Sequence, residues 1–308
     1  MLIFDAHCDI LSKIGKASDL LSNRRQWDIL RALRYGCFVQ VLTCFADDLY
    51  RSFPQQHMQA QFMLGLEAER EHPQLTLIRA RRDLERISEG HVYGILGAEG
   101  AEIIGGSLAE LDRLYQLGLR IMTLSWNYDN EVCDSIAGQN THHGLSDFGR
   151  QVVRRLESLG VVVDVSHISD KSLEDVLEIA KKPVTASHSN ARALCGHRRN
   201  LTDDQIKRIA SGGGVIGINL YPPFLEYTGN AGILSIIKHI DYIAGLVGTG
   251  AIGLGCDFDG VDDLPDGISG VESVGSILNM LARMNYSDRD IEGIAGKNYV
   301  RLFTQILN

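Results

Sequence analysis

Two short apolar runs that each close on a histidine, with a helix between them, constrain this chain more than any other feature. The first is Val161-Val-Val-Asp-Val-Ser-His167 and the second is Pro183-Val-Thr-Ala-Ser-His188. Residues 168–182 between them read as a helix, so the pattern is strand, histidine, helix, strand, histidine. Parallel strands joined by a helix end on the same side of a sheet. Both histidines therefore face one point in space, and a metal site is the expectation. Arg198 and Arg199 follow shortly after.

The same alternation runs through the rest of the chain. Short strands are expected at residues 2–6, 38–45, 92–98, 119–124, 161–167, 183–188, 214–221 and 251–255. Helices are expected around 28–34 and 81–88, over 55–70, 107–117, 146–158 and 168–182, from Thr202, and over 233–246, 271–284 and 288–306. Eight strands mostly alternating with helices are what a (β/α)8 TIM-type barrel requires. The runner-up is a doubly wound sheet, because strand number alone does not close a barrel. No linker, low-complexity tract or internal repeat divides the 308 residues, so residues 1–308 read as a single α/β barrel domain. The polar stretch 129–145 is a long loop after the fourth strand, a common place for a binding loop.

Charge and apolar patterning narrow the function classes. The net charge is -9 and no basic stripe is present, which argues against nucleic acid as a partner. No apolar run approaches the ~20 residues that span a bilayer. The start of the chain shows no basic segment followed by a long apolar one, and a cytoplasmic location is the expectation. Six scattered cysteines without a C-x-x-C pair fit reduced thiols better than a disulfide framework.

The strand ends carry the chemistry. They supply His7 and Asp9, Glu99, His167, His188 and Asp257. In a barrel these all lie on the face that carries activity. Three histidines and three carboxylates exceed the needs of one metal, whereas two metals sharing a carboxylate would use the full set. Each residue also has a plain structural reading. His7 alone could be a core histidine, and Asp9 two places on favours the metal. Glu99 sits among small neighbours, where an acid is seldom structural. His167 and His188 could hydrogen-bond inside the barrel mouth. Asp257 could cap a helix or anchor a loop, the better reading for Asp259. His57, His72, His91, His197 and His239 read as surface or structural, and His142 and His143 as members of a solvated loop.

Seven pieces in order carry a family resemblance: Asp5-Ala-His-Cys-Asp9, Gly97-Ala-Glu-Gly100, Gly144-Leu-Ser-Asp-Phe-Gly149, Val163-Asp-Val-Ser-His167, Ser187-His-Ser189, Arg198-Arg-Asn200 and Gly255-Cys-Asp-Phe-Asp-Gly260. Together they resemble the renal or membrane dipeptidases, zinc peptidases within the amidohydrolase-type barrels. The resemblance implies two Zn2+ ions per chain, one held by His7 and Asp9, the other by His167 and His188, with Glu99 bridging. It implies dipeptide hydrolysis by a hydroxide bridging the ions, including dipeptides with a C-terminal D-residue. Asp257 would handle the proton, and Arg199 would take the substrate carboxylate as a bidentate pair. Trp126, Asn127 and Tyr221 join Arg199 as substrate-binding candidates, and a homodimer is expected from the resemblance alone. One position departs: Trp126 stands where the family's animal members have a substrate-contacting histidine. Asn127, His142 or His143 would have to substitute. The rival readings are another amidohydrolase-type enzyme, a lactonase or deaminase, and a non-catalytic metal-binding barrel. The His-x-Asp after strand one, and the absence of a lysine in residues 119–131, favour the dipeptidase branch.

Overall fold

The computed structural model describes residues 1–308. Nine parallel strands form one sheet: β1 (Leu2–Asp5), β2 (Cys37–Phe45), β3 (Leu75–Leu77), β4 (His91–Glu99), β5 (Leu119–Thr123), β6 (Val162–Asp164), β7 (Thr185–Ala186), β8 (Val215–Ile218) and β9 (Ile252–Leu254). The order is β2-β1-β9-β8-β7-β6-β5-β4, and β2 pairs with β4 from Cys37↔His91 to Phe45↔Glu99. That pairing closes an eight-membered ring, so the TIM-type barrel is realised and the open doubly wound sheet is not. The ninth strand, β3, was not expected. It lies along the N-terminal half of β4, at Leu75↔Val92 to Leu77↔Gly94, outside the ring.

Side-chain alternation fills the barrel. In β2, Cys37, Val39 and Val41 belong to one apolar cluster with Tyr93, Ile95, Ile121, Val162 and Val215. The intervening Phe38 and Leu42 belong to the larger cluster shared with the surrounding helices. The first set is the barrel interior and the second the layer between strands and helices, as period-two strands dictate. The C-terminal helix (Asn298–Ile306) closes the floor, with Tyr299 stacked on Phe4 at 5.1 Å. Following the interior face upward past the apolar layer leads to Thr43, Glu99, Thr123, Asp164 and Asn219. Every one of these is buried.

Several expected elements are shorter than the sequence suggests. The strand expected over 161–167 is β6, Val162–Asp164, and that over 183–188 is β7, Thr185–Ala186. The chain leaves the sheet early, so both histidines sit on the turns beyond the strands. The helix expected over 81–88 is one turn, Arg81–Leu84, and that over 288–306 is interrupted by a π segment, Gly293–Lys297. The capping box at Thr202 forms: its hydroxyl accepts from Gln205 N, while Gln205 Oε1 accepts from Thr202 N.

Candidate active site

Interior alternation along β4 sets Glu99 at the end of its strand, in line with Tyr93, Ile95 and Gly97. Its carboxylate becomes the centre of the barrel mouth. Glu99 Oε1 lies 2.9 Å from His167 Nε2, 3.4 Å from His188 Nε2 and 3.6 Å from His7 Nε2. The two Nε2 atoms of His167 and His188 are 3.0 Å apart. On the far side of each ring Nδ1 is already engaged. His167 Nδ1 meets Asn127 Oδ1 at 3.1 Å, and His188 Nδ1 meets Ser187 Oγ at 2.7 Å.

The second half of the site gathers around His7. Its Nε2 lies 3.3 Å from Asp9 Oδ2 and 3.9 Å from Asp257 Oδ1, yet neither ring nitrogen makes a hydrogen bond. A fully buried imidazole ringed by three carboxylates is an arrangement that suits a bound cation. His7, Glu99 and His188, and again His7, Asp9 and Asp257, place their ligand atoms close enough to share one ion. The His7 and His188 rings stand 3.9 Å apart, so the two halves are contiguous. The residues therefore fit a metal cofactor.

Titration follows the same division. Burial opposes charge on His7, but the Asp9 and Glu99 carboxylates override it and raise its pKa well above the ordinary value. Burial, together with the Arg199 and His7 charges, holds His167 and His188 well below theirs. Neutral imidazole is the form that ligates metal. Burial pushes the Glu99 carboxyl up to about 7, helped by the Asp9 and Asp257 charges. Asp257 is raised by burial first and by Asp9 as well.

Asp9 is not presented as part of an extended strand. It follows β1 by four residues and precedes the helical turn Ile10–Lys13, and Thr43 Oγ1 lies 2.9 Å from its Oδ1. Two ligand candidates occupy left-handed backbone, His167 at φ +68° and Asp257 at φ +60°. Gly260 packs against both Asp257 Oδ1 and Asp9 Oδ2, so closely that a Cβ there would collide with the pair. Asp259 is a loop anchor as expected: its carboxylate accepts from the backbone of Gln26 and Trp27.

A cavity of about 390 Å³ opens over these groups. Arg199, Tyr221 and Phe224 line it on the β7–β8 side, and Phe45, Asp47 and Trp126 on the β2 and β5 sides. Arg199 is 7 % exposed and its Nε and Nη2 have no hydrogen-bond partner. Its nearest support is the Phe224 ring, 5.5 Å from Cζ. Trp126 leans on Phe45 and stands 6.4 Å, ring to ring, from His167. Asn127 was expected on the substrate side. It lines the cavity but is also tied to His167, which the sequence did not indicate. His142 is turned away, its Nε2 2.7 Å from Asn130 O, and neither His142 nor His143 lines the cavity. The sequence reading also missed Asn219, whose amide donates to Asp257 Oδ2 at 2.9 Å, and the roles of Asp164 and Ser187 behind His188. Inward alternation on β6 and β8 was the available signal for Asp164 and Asn219.

The signature of the membrane dipeptidase family, peptidase family M19, matches residues 1–308. The chain belongs to this family. An uncharacterized dipeptidase of Schizosaccharomyces pombe is 37% identical over 216 residues, covering 69% of this chain and 53% of that protein. The chain thus spans about half the length of the curated relatives it matches. Among solved structures, the probable dipeptidase PvdM of Pseudomonas aeruginosa superposes with a TM-score of 0.91 at 23% identity, over 99% of this chain and 95% of that one. A metallo peptidase of Rhodobacter sphaeroides, liganded with a phosphinate mimic of the dipeptide L-Ala-D-Ala, gives 0.88 at 22% identity over 99% of each chain. At such identities these structures speak for the fold. No helix of this M19 chain is long and apolar enough to cross a membrane.

Proposed function

We propose that this M19 protein is a metal-dependent dipeptidase that uses two zinc ions within one barrel domain, residues 1–308. The observation that carries the reading is a convergence of histidine and carboxylate side chains at the floor of a cavity that also holds a buried guanidinium with two unpartnered nitrogens. Asp9 and His7 would hold one ion, His167 and His188 the other, with Glu99 between them. When bound, the pair supplies Lewis acidity, polarising the scissile carbonyl and bringing a water toward ionisation near neutral pH.

The protein's own groups do the rest. Arg199 pairs with the C-terminal carboxylate, a two-point contact that fixes orientation. Because it lines the same cavity of about 390 Å³ as Glu99, a short peptide can reach both. Asp257, held by Asn219, takes the proton of the attacking water and delivers it to the departing amine nitrogen. Burial makes Asp257 a better proton acceptor than an exposed aspartate. Tyr221, Trp126 and Asn127 shape the walls around the substrate. Six unpaired, buried cysteines support a reducing, cytoplasmic setting. A homodimer is part of the family expectation, and sedimentation velocity of the chain in solution decides it.

The test is a dipeptide panel, including L-Ala-L-Ala and L-Ala-D-Ala, hydrolysed by zinc-reconstituted protein whose metal content is measured. Turnover with about two ions per chain supports the reading. Metal binding without turnover of any dipeptide would favour the non-catalytic barrel, and turnover of lactones alone would favour another amidohydrolase-type activity.

A further inference from the structure

The hydrogen bonds beneath His188 decide which of its nitrogens carries a proton. Asp164 accepts four donors. Its Oδ1 receives the backbone N–H of Ser166 at 3.0 Å and of Ser187 at 2.9 Å. Its Oδ2 receives the hydroxyls of Thr123 at 2.5 Å and Ser187 at 2.6 Å. A carboxylate has no proton to return, so the single hydroxyl proton of Ser187 points at Asp164. The lone pairs of Ser187 Oγ then face His188 Nδ1, 2.7 Å away, and this contact is a bond only if Nδ1 is the donor. Asp164, Ser187 and His188 are at most 1 % exposed, which leaves water little room to arbitrate.

We propose that Asp164 and Ser187 form a relay that locks His188 as the Nδ1–H tautomer and so presents a bare Nε2 to the metal. Neither residue touches the substrate, and both are positioning residues. The metal consequence rests on His188 being a ligand, as the proposed function has it. The tautomer itself is a property of the metal-free chain. It is not the default outcome, because a proton on Nε2 would have acceptors waiting at Glu99 Oε1, 3.4 Å, and His167 Nε2, 3.0 Å. The relay settles that competition from below. The geometry also predicts what reverses it. In Asp164→Asn the carboxamide oxygen keeps the two backbone N–H groups, so its NH2 faces Ser187 Oγ and donates. Ser187 must then turn its proton to Nδ1, which drives the histidine proton to Nε2 and blocks the ligand atom.

The experiment is long-range 1H–15N NMR on the full chain, metal-free and labelled with 15N-histidine, the His188 signals being identified by their loss in His188→Gln. The expected wild-type pattern is protonated Nδ1 and bare Nε2, and Asp164→Asn should invert it. Wild-type His188 found as the Nε2–H form, or doubly protonated, overturns the relay, and that result does not depend on Asp164→Asn folding. Zinc titration gives a second readout. Binding should weaken about 100-fold in Asp164→Asn and about 10-fold in Ser187→Ala, the range that removing a partner of a metal-ligating histidine produces. Unchanged affinity in a folded Asp164→Asn protein also overturns the proposal. A wild-type protein with the expected tautomer and no dipeptide turnover would refute the proposed activity and leave the relay standing.

Discussion

Arg199→Met separates what the guanidinium does for the fold from what it does for the substrate. Burial pulls the Arg199 pKa down from the ordinary guanidinium value to about 10, against the attraction of Glu99, Asp257 and Asp164. A folded value below the unfolded one means that folding penalises the charged form at neutral pH. At 1.36 kcal/mol per unit, the penalty is about 3 kcal/mol. Methionine keeps the apolar stem against Phe224 and removes the unpaired charge, as in other buried-charge replacements. The metal-free variant should therefore gain about 1–3 kcal/mol, read in thermal unfolding as a midpoint higher by about 2–6 °C. Catalysis should move the other way. Losing a buried charged contact to the carboxylate costs about 2–5 kcal/mol, or roughly 30-fold to several thousand-fold in kcat/KM for a dipeptide. A dipeptide amide, which lacks the free carboxylate, should show a far smaller change. A lower melting point together with equal losses on both substrates would refute the reasoning, because Arg199 would then be a structural residue.

Glu99→Gln should abolish dipeptide hydrolysis and bring bound zinc below two ions per chain by elemental analysis, since its Oε1 serves three histidines; full activity would sink the two-metal reading. Gly260→Ala should force Asp9 and Asp257 apart, lowering zinc occupancy while circular dichroism stays native; unchanged occupancy would show that the two carboxylates do not act together. Glu102, away from the ligands, is pushed up to about 7 by burial. Its unfolded form ionises near 4.5, so the wild type should lose stability as pH rises from about 4.5 to 7 and then level off. Glu102→Gln should remove the Glu102 share of that fall, so that the two curves diverge with rising pH and the variant ends about 1–3 kcal/mol more stable relative to the wild type at pH 8 than at about pH 4.5; denaturant unfolding from about pH 4.5 to 8 reads it, and parallel curves for the two proteins would contradict it.

The barrel was legible because its signals are local and repeated. Alternating short apolar runs and amphipathic segments identified all eight ring strands, and the helix start at Thr202 was realised. Closure was not readable, since it depends on the β2–β4 pairing of residues 54 apart in sequence, from Cys37↔His91 onward. The small strand β3 escaped because three residues, Leu75–Leu77, give too short a pattern. At the site, the candidate ligands were visible as the residues closing each strand. Their partners were less so: Asn219, Asp164 and Ser187 look like ordinary polar residues until the fold stacks them behind Asp257 and His188. Asn127 was read as a substrate contact because its position in a loop says nothing about which ring its amide meets.

The left-handed backbone at His167 and Asp257 has a consequence for how such a chain can drift. Conformations of this kind cost a side-chain-bearing residue about 1–3 kcal/mol, and glycine almost nothing. Under the proposed function, selection for catalysis would hold both positions in this backbone. Once selection lapses, glycine at residue 257 offers relief from backbone strain and from a crowded carboxylate in one step. We therefore expect metal-free Asp257→Gly to melt higher than Asp257→Ala, which removes the same charge but keeps the strain; the reverse order would remove the argument. If the proposed activity holds, descent from it toward a silent barrel would run downhill in free energy, and descendants that had lost the chemistry would be sturdier than the parent.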